Sequence, residues 1–233
     1  MIAVGLSFLL IVASLFMALV YAPTERFMGD VQRIFYFHVP LAWLAFLSFF
    51  IVFVASIQFL RKGSAFWDQL AYCGAEIGTL FTTLVLITGS LWAKPVWGTW
   101  WSWDPRLTAS LILWLIYVAY LTVRSYAAES GRGSRFAAVV GIVGFVDVPI
   151  VYLSIYWWRT LHPGPVIQSG GMLPEMRNAL LVSLLAFTVF FAILFRYRLR
   201  LRRLEAEMEE LRLGERAEEP AWGKRREGPV PEA

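Results

Sequence analysis

Charge is scarce in this sequence: Asp, Glu, Lys and Arg together make up 16% of its 233 residues, where soluble proteins carry about 25%. That excludes an ordinary water-soluble domain. Cysteine occurs once, as Cys73 inside an apolar run, which excludes an internal disulfide and the thiol exchange of a C-x-x-C pair. The residue reads as small buried packing. Histidine occurs twice, as His38 and His162. Neither has a second His, Cys or carboxylate at metal-ligand spacing, and two imidazoles are only half of a tetrahedral zinc set. No G-x-S-x-G elbow or Ser-His-Asp order stands out, which argues against hydrolysis, and the chain is not expected to be an enzyme. Internal repeats and nucleotide-binding motifs are also missing. The excess of 21 basic over 17 acidic residues reflects arginines beside the last apolar run and needs no nucleic acid.

What the sequence has instead is apolar length. Hydrophobic residues make up 58% of the chain, and the mean hydropathy is +0.60. Six runs are nearly free of charge: 2–22, 39–60, 69–93, 107–123, 136–158 and 178–195. Each reaches the roughly 17–25 residues that cross a bilayer as a helix. In lipid a run must satisfy its own backbone hydrogen bonds, so helix is the only sensible conformation. The fold class is therefore all-α, a polytopic integral membrane protein of six transmembrane helices. Val20-Tyr21-Ala22 resembles a signal-peptide cleavage site, but no Lys or Arg precedes the first run and Pro23 would follow the cut, so that run is expected to be a retained helix. With the N-terminus inside, the inner loops and the start of the tail hold ten Lys and Arg, and the outer loops hold six, namely Arg26, Arg33, Lys94, Arg106, Arg159 and Arg177. That asymmetry favours both termini in the cytoplasm and turns the loop after the third run outward. Residues 1–198 then form the six-helix domain and 199–233 a cytoplasmic tail. In the tail, Leu201, Leu204, Met208 and Leu211 recur at the spacing of a short amphipathic helix, suited to a partner helix or the inner leaflet. From Gly214 onward the chain is polar and proline-bearing, and disorder is expected.

The densest chemistry lies at the outer edge. The stretch WGTWWSWDPRLT (97–108) places Trp97, Trp100, Trp101 and Trp103 within seven residues, followed by Asp104 and Arg106. Such a cluster exceeds what an interfacial belt needs and suits a platform for a flat ligand. Asp104, just ahead of the fourth run, is expected to cap that helix or pair with Arg106; direct contact with a partner is the alternative. The Val39-Pro40 pair predicts that the second helix begins at about Val39, leaving His38 outside regular helix at the outer rim. His162 precedes Pro163 directly, in the Gly- and Pro-rich outer loop 159–177. A loop histidine taken alone is most often a solvated side chain. Two on one face beside an indole cluster fit the axial positions of haem iron. Haem also needs aromatic walls and cations for its carboxylates, and Arg33, Lys94, Arg106, Arg159 and Arg177 are available. Without C-x-x-C-H the chain is no covalent acceptor of c-type haem. Within the spans, Glu76 and Asp147 are functional candidates by default. Burial of Glu76 against a hydroxyl of a neighbouring helix is the preferred reading, and Asp147, beside a kink expected at Pro149, is placed to position the His162 loop. Thr88-Gly89-Ser90 offers a point of close helix approach.

Lys94-Pro95-Val96 followed by WGTWWSWDPRLT resembles the signature of the tryptophan-rich WWD family of haem-handling membrane proteins in cytochrome c maturation. The likeness extends to QRIFYFHVP (32–40) and YWWRTLHPG (156–164) and covers essentially all six runs. Pro105 stands where the more usual WDAR run has Ala, which alters the turn and keeps both the acid and the base. The charged tail after Arg198 is not part of the family core. The resemblance implies a protein that binds haem b at the outer, periplasmic face of a bacterial inner membrane. His38 and His162 match its axial ligands. Trp97, Trp100, Trp101, Trp103 and Asp104 match its platform for haem and chaperone. Delivery would be to the haem chaperone CcmE, for c-type cytochrome biogenesis, in an assembly with the ATP-binding transporter subunits CcmA and CcmB and the small membrane subunit CcmD. Two other readings compete. An electron-transfer subunit holding haem b would place its ligands well inside the spans. A small-molecule transporter with an aromatic outer site would show broken helices meeting at mid-membrane.

Overall fold

The computed structural model describes residues 2–126, 133–164 and 171–218. Among these residues there are no strands, and six helical stretches are long and apolar enough to cross a membrane, so the protein is a polytopic all-α membrane protein. Helix α1 (Ile2–Phe16) ends in a π-helical turn, Met17–Tyr21. A 3-10 segment, Asp30–Ile34, leads into α2 (Phe35–Lys62). Then come α3 (Ala65–Trp97) and α4 (Pro105–Tyr126). One crossing is shared by α5 (Gly133–Phe145) and α6 (Asp147–Trp157), and α7 (Pro174–Glu218) completes the bundle.

Helix α2 is the centre. Its Leu44, Phe49 and Val52 are fully buried, against Leu113 and Tyr117 of α4, Ala137 of α5 and Phe191 of α7. Helix α1 leans on α7 at the periphery, joined there by a 2.9 Å hydrogen bond between Ser14 and Ser183. Its other faces show large apolar side chains such as Phe8 and Leu9, as a helix bathed in lipid requires. Small residues let α3 close onto α2. A methyl group on Gly78 would stand 2.5 Å from the Phe49 ring, and that ring cannot retreat, being stacked 3.7 Å from Tyr117.

Three local expectations are corrected and one is met. The second helix does not wait for Pro40: α2 starts at Phe35 and carries His38 and Pro40 inside it. Burial of Tyr36, Pro40 and Leu41 outweighs the bias of a pre-proline residue, and only one backbone hydrogen bond is forgone. The third helix likewise runs through Lys94 and Pro95 to Trp97, where Gly98 in the left-handed region ends it, its N–H returning to the Lys94 carbonyl. The kink expected at Pro149 is present, as a break of the fifth run at Val146. Pro149 cannot donate to the Phe145 carbonyl, and the Val146 N–H bonds Val143 at 3.1 Å instead, so Asp147 becomes the first residue of α6 with its Oδ2 buried and unpartnered among the described residues. Finally, the separate tail helix is the continuation of α7, which passes Gly214 and reaches Glu218; residues 219–233 lie outside the described ones.

Arginines hold this extension to the bundle. Arg198 grips Glu76 of α3 at 2.7 and 3.0 Å, so this acid is neutralised chiefly by a cation. Arg124 of α4 bonds Asp68 of α3 at 2.7 Å. The guanidinium groups of Arg124, Arg198 and Arg202 gather on the Tyr72 ring at 5.0, 5.7 and 4.7 Å, within cation–π range. Cys73 beside them is a buried free thiol.

The α2–α3 contact yields a test. Gly78→Ala is expected to destabilise the fold by about 1–3 kcal/mol through overpacking, read as a lower thermal midpoint in detergent. Gly5→Ala, with nothing within 4 Å of the added carbon, is the control, and equal midpoints for the two variants would refute the close approach.

Candidate functional site

The ends of α2, α3, α4 and α6 form one rim, and both histidines face it. His38, half-buried on α2, meets α3: its Nδ1 lies 2.8 Å from Thr88 Oγ1. The Thr88 hydroxyl has a single proton and donates it to the Leu84 carbonyl at 2.7 Å. With its proton so placed the hydroxyl accepts from His38, and that arrangement puts the imidazole proton on Nδ1 and leaves Nε2 its lone pair. Gly89 makes room, since a methyl group there would sit 3.3 Å from His38 Cε1. Trp92 meets the imidazole edge-on at 6.0 Å. His162 lies in the loop after α6, and its Nδ1 is 3.0 Å from the Pro163 carbonyl. A carbonyl can only accept, so here too Nδ1 is protonated and Nε2 is left free. Arg106 acts electrostatically on both imidazoles, and His162 lies near enough to act on His38.

Asp104 organises the loops around them. It caps α4: its Oδ1 accepts the Arg106 N–H at 3.0 Å, and its carbonyl takes the Thr108 N–H at 2.9 Å, with Pro105 in the first helical position. The pairing with Arg106 thus runs through the backbone. The same carboxylate reaches across to the His162 loop, accepting the Thr160 hydroxyl at 2.7 Å and the Leu161 N–H at 2.6 Å. With only 7% of its surface exposed, Asp104 lies beneath the platform and contributes little to its outer surface.

The tryptophans spread from there. Trp97 closes α3, Trp101 is half-buried, and Trp100 and Trp103 are exposed. Trp101 and Trp103 meet at 84°, so the indoles line the rim at several angles. Among the cations, Arg33 is engaged elsewhere: it pairs with Asp30 and donates to the Ala18 and Ala22 carbonyls at the end of α1. Lys94 donates to the Gly98 carbonyl. Arg177 is exposed in the first turn of α7. Arg106 and Arg159 form no ion pair among the described residues. An open groove of about 580 Å³, lined by Trp158, Arg159, Thr160, Leu161 and His162 among others, has a volume typical of small-molecule sites. Sequence reasoning missed Thr88, Trp92 and Thr160. Thr88 and Trp92 are four apart and so share a helix face, but that spacing does not say which neighbour faces them.

Fold and rim together define a class: a six-span α-helical membrane protein that presents two neutral imidazoles and an indole-rich loop at one edge. Comparison with known proteins makes the class specific. The family described as CcmC, Heme exporter protein C, matches residues 1–214. Heme exporter protein C of Bradyrhizobium diazoefficiens is 38% identical over 175 residues, which are 75% of this chain and 66%, just under two thirds, of that protein. The Escherichia coli K12 protein of the same name is 34% identical over 180 residues (77% and 74%). That of Haemophilus influenzae is 36% identical over 198 (81% and 79%). The chain belongs to the heme exporter protein C family.

Burial, and after it the charge of Arg106, holds the His162 imidazole well below its ordinary 6.5, at about 4. It is therefore neutral at pH 7. Because folding lowers this value, the unfolded chain binds the proton first as pH falls from about 6.5 toward about 4, and stability is lost across that window. In a His38→Gln background, NMR titration is expected to give His162 a midpoint near 4. Adding Arg106→Gln should raise the midpoint without restoring 6.5, since burial is the larger cause; an unmoved midpoint would exclude Arg106 from the effect.

Proposed function

We propose that this chain binds haem b as transient cargo at the Trp-loop rim and delivers it to the haem chaperone CcmE for c-type cytochrome biogenesis. The support is chemical. His38 and His162 each hold the ring proton on Nδ1 against a fixed acceptor, so each offers Nε2, the nitrogen an axial ligand uses. Haem suits this donor set: Trp92 and Trp158 offer apolar walls, and Arg106 and Arg159 offer positive charge for the propionates. Two imidazoles occupy both axial positions of the iron and leave none for oxygen, so such a site stores and transfers haem. Exposed Trp100 and Trp103 present the flat, amphipathic surface on which a partner docks. The family then implies the periplasmic face of a bacterial inner membrane, both termini in the cytoplasm, and association with CcmA, CcmB and CcmD. A buried electron-transfer haem is disfavoured because His162 belongs to a loop.

The absorption spectrum of the purified protein tests this. Wild-type protein is expected to carry low-spin haem, and the His38→Ala plus His162→Ala variant to lose those bands. Haem copurifying with unchanged low-spin bands in the double variant would refute ligation. Trp100→Ala plus Trp103→Ala should cut capture of the chaperone while haem is kept; undiminished capture would remove the docking role.

A further inference from the structure

We infer that Asp104 is a positioning residue that sets where His162 stands and couples that position to the tryptophan loop. The inference rests on the haem-ligation reading and deepens it. The linkage is continuous. The His162 N–H donates to Thr160 Oγ1 at 3.0 Å, the Thr160 hydroxyl donates to Asp104 Oδ1 at 2.7 Å, and the Leu161 N–H donates to Asp104 Oδ2 at 2.6 Å. Two residues directly before His162 are thus tied to one carboxylate 56 and 57 positions away in sequence. Among the described residues nothing else in that loop is as well anchored: Leu161 is 56% exposed, and the His162 ring bonds only its own neighbour, Pro163. Hydrogen bonds to a buried, charged acceptor are the strong kind, so the loop takes its position from Asp104.

Asp104 is in turn joined to the platform. The residue before it, Trp103, is 76% exposed, while the residues after it begin α4, whose N-terminus the same carboxylate caps. The carboxylate therefore stands between the anchored start of α4 and the exposed end of the tryptophan loop. A partner that seats on Trp100 and Trp103 thus meets the residue next to the carboxylate that holds Thr160 and Leu161, whereas His38 is held separately by Thr88.

The test uses the whole protein, with Thr160→Val to cut the relay without touching the cap of α4, Thr160→Ser to keep it, and Asp104→Asn to weaken the acceptor. In haem-free protein, hydrogen–deuterium exchange at residues 160–162 is expected to quicken by about tenfold or more in Thr160→Val and Asp104→Asn, with Thr160→Ser like wild type. In haem-loaded protein the first two variants should shift from low-spin toward high-spin bands, and added imidazole should restore them. Unchanged exchange overturns the latch. Faster exchange with unchanged bands, where His162→Ala does lose them, overturns its link to ligation. If His162→Ala itself keeps the bands, the ligation reading fails and this inference with it. The haem-free exchange measurement, being independent of ligation, tells the two failures apart.

Discussion

Lipid offers no partner to a charge or an open hydrogen-bonding group, and every polar feature of this protein follows from that exclusion. Four acids illustrate it. Glu76 and Asp68 are met by Arg198 and Arg124, and Asp104 is filled by a hydroxyl and two backbone N–H groups. Asp147 is the exception: it stands where the helix breaks, and one of its oxygens has no partner among the described residues.

The two rims solve the problem differently, and the difference separates structure from function. At the tail rim, cations, acids and the Tyr72 ring are packed into a closed network that ties α3, α4 and α7 together. The arginines at this rim clamp the helices together. At the other rim, Arg106 and Arg159 have no acid paired with them among the described residues, and Trp100 and Trp103 are exposed. A rim left this incomplete is suited to a ligand that brings its own negative charge and its own metal. Its position is also stabilised from below, because Asp104 and Thr88 complete their hydrogen bonds within the protein and leave the histidines' outer nitrogens free.

Much of this is legible in the order of residues. Long apolar runs must be helices in lipid, so the six crossings can be counted directly, and the motif residues His38, His162 and Trp97–Trp103 are distinctive enough to be singled out before any fold is known. Proline was the misleading signal. Read locally, Pro40 marks a helix boundary; in the fold it lies inside α2, as Pro95 lies inside α3, because the packing of whole helix faces exceeds the loss of one backbone bond. Pro149 does interrupt its crossing, where a short 3-10-like bond takes over at Val146. The continuity of α7 past its apolar run was equally hidden, since it depends on Glu76 and Tyr72, more than 120 residues earlier in the chain.

The sequence by itself determined the class of the protein, its crossings and the residue types gathered at one edge, because these depend on composition and short-range periodicity in a solvent that tolerates few alternatives. Only the tertiary structure decided which partner each of those residues has. That Thr88 meets Nδ1 of His38, that Gly89 clears space for it, and that Asp104 reaches Thr160 and Leu161 are contacts between separate helices and loops. A hydrogen bond acts over about 3 Å, and no spacing along a chain reveals which distant residue will come within that distance.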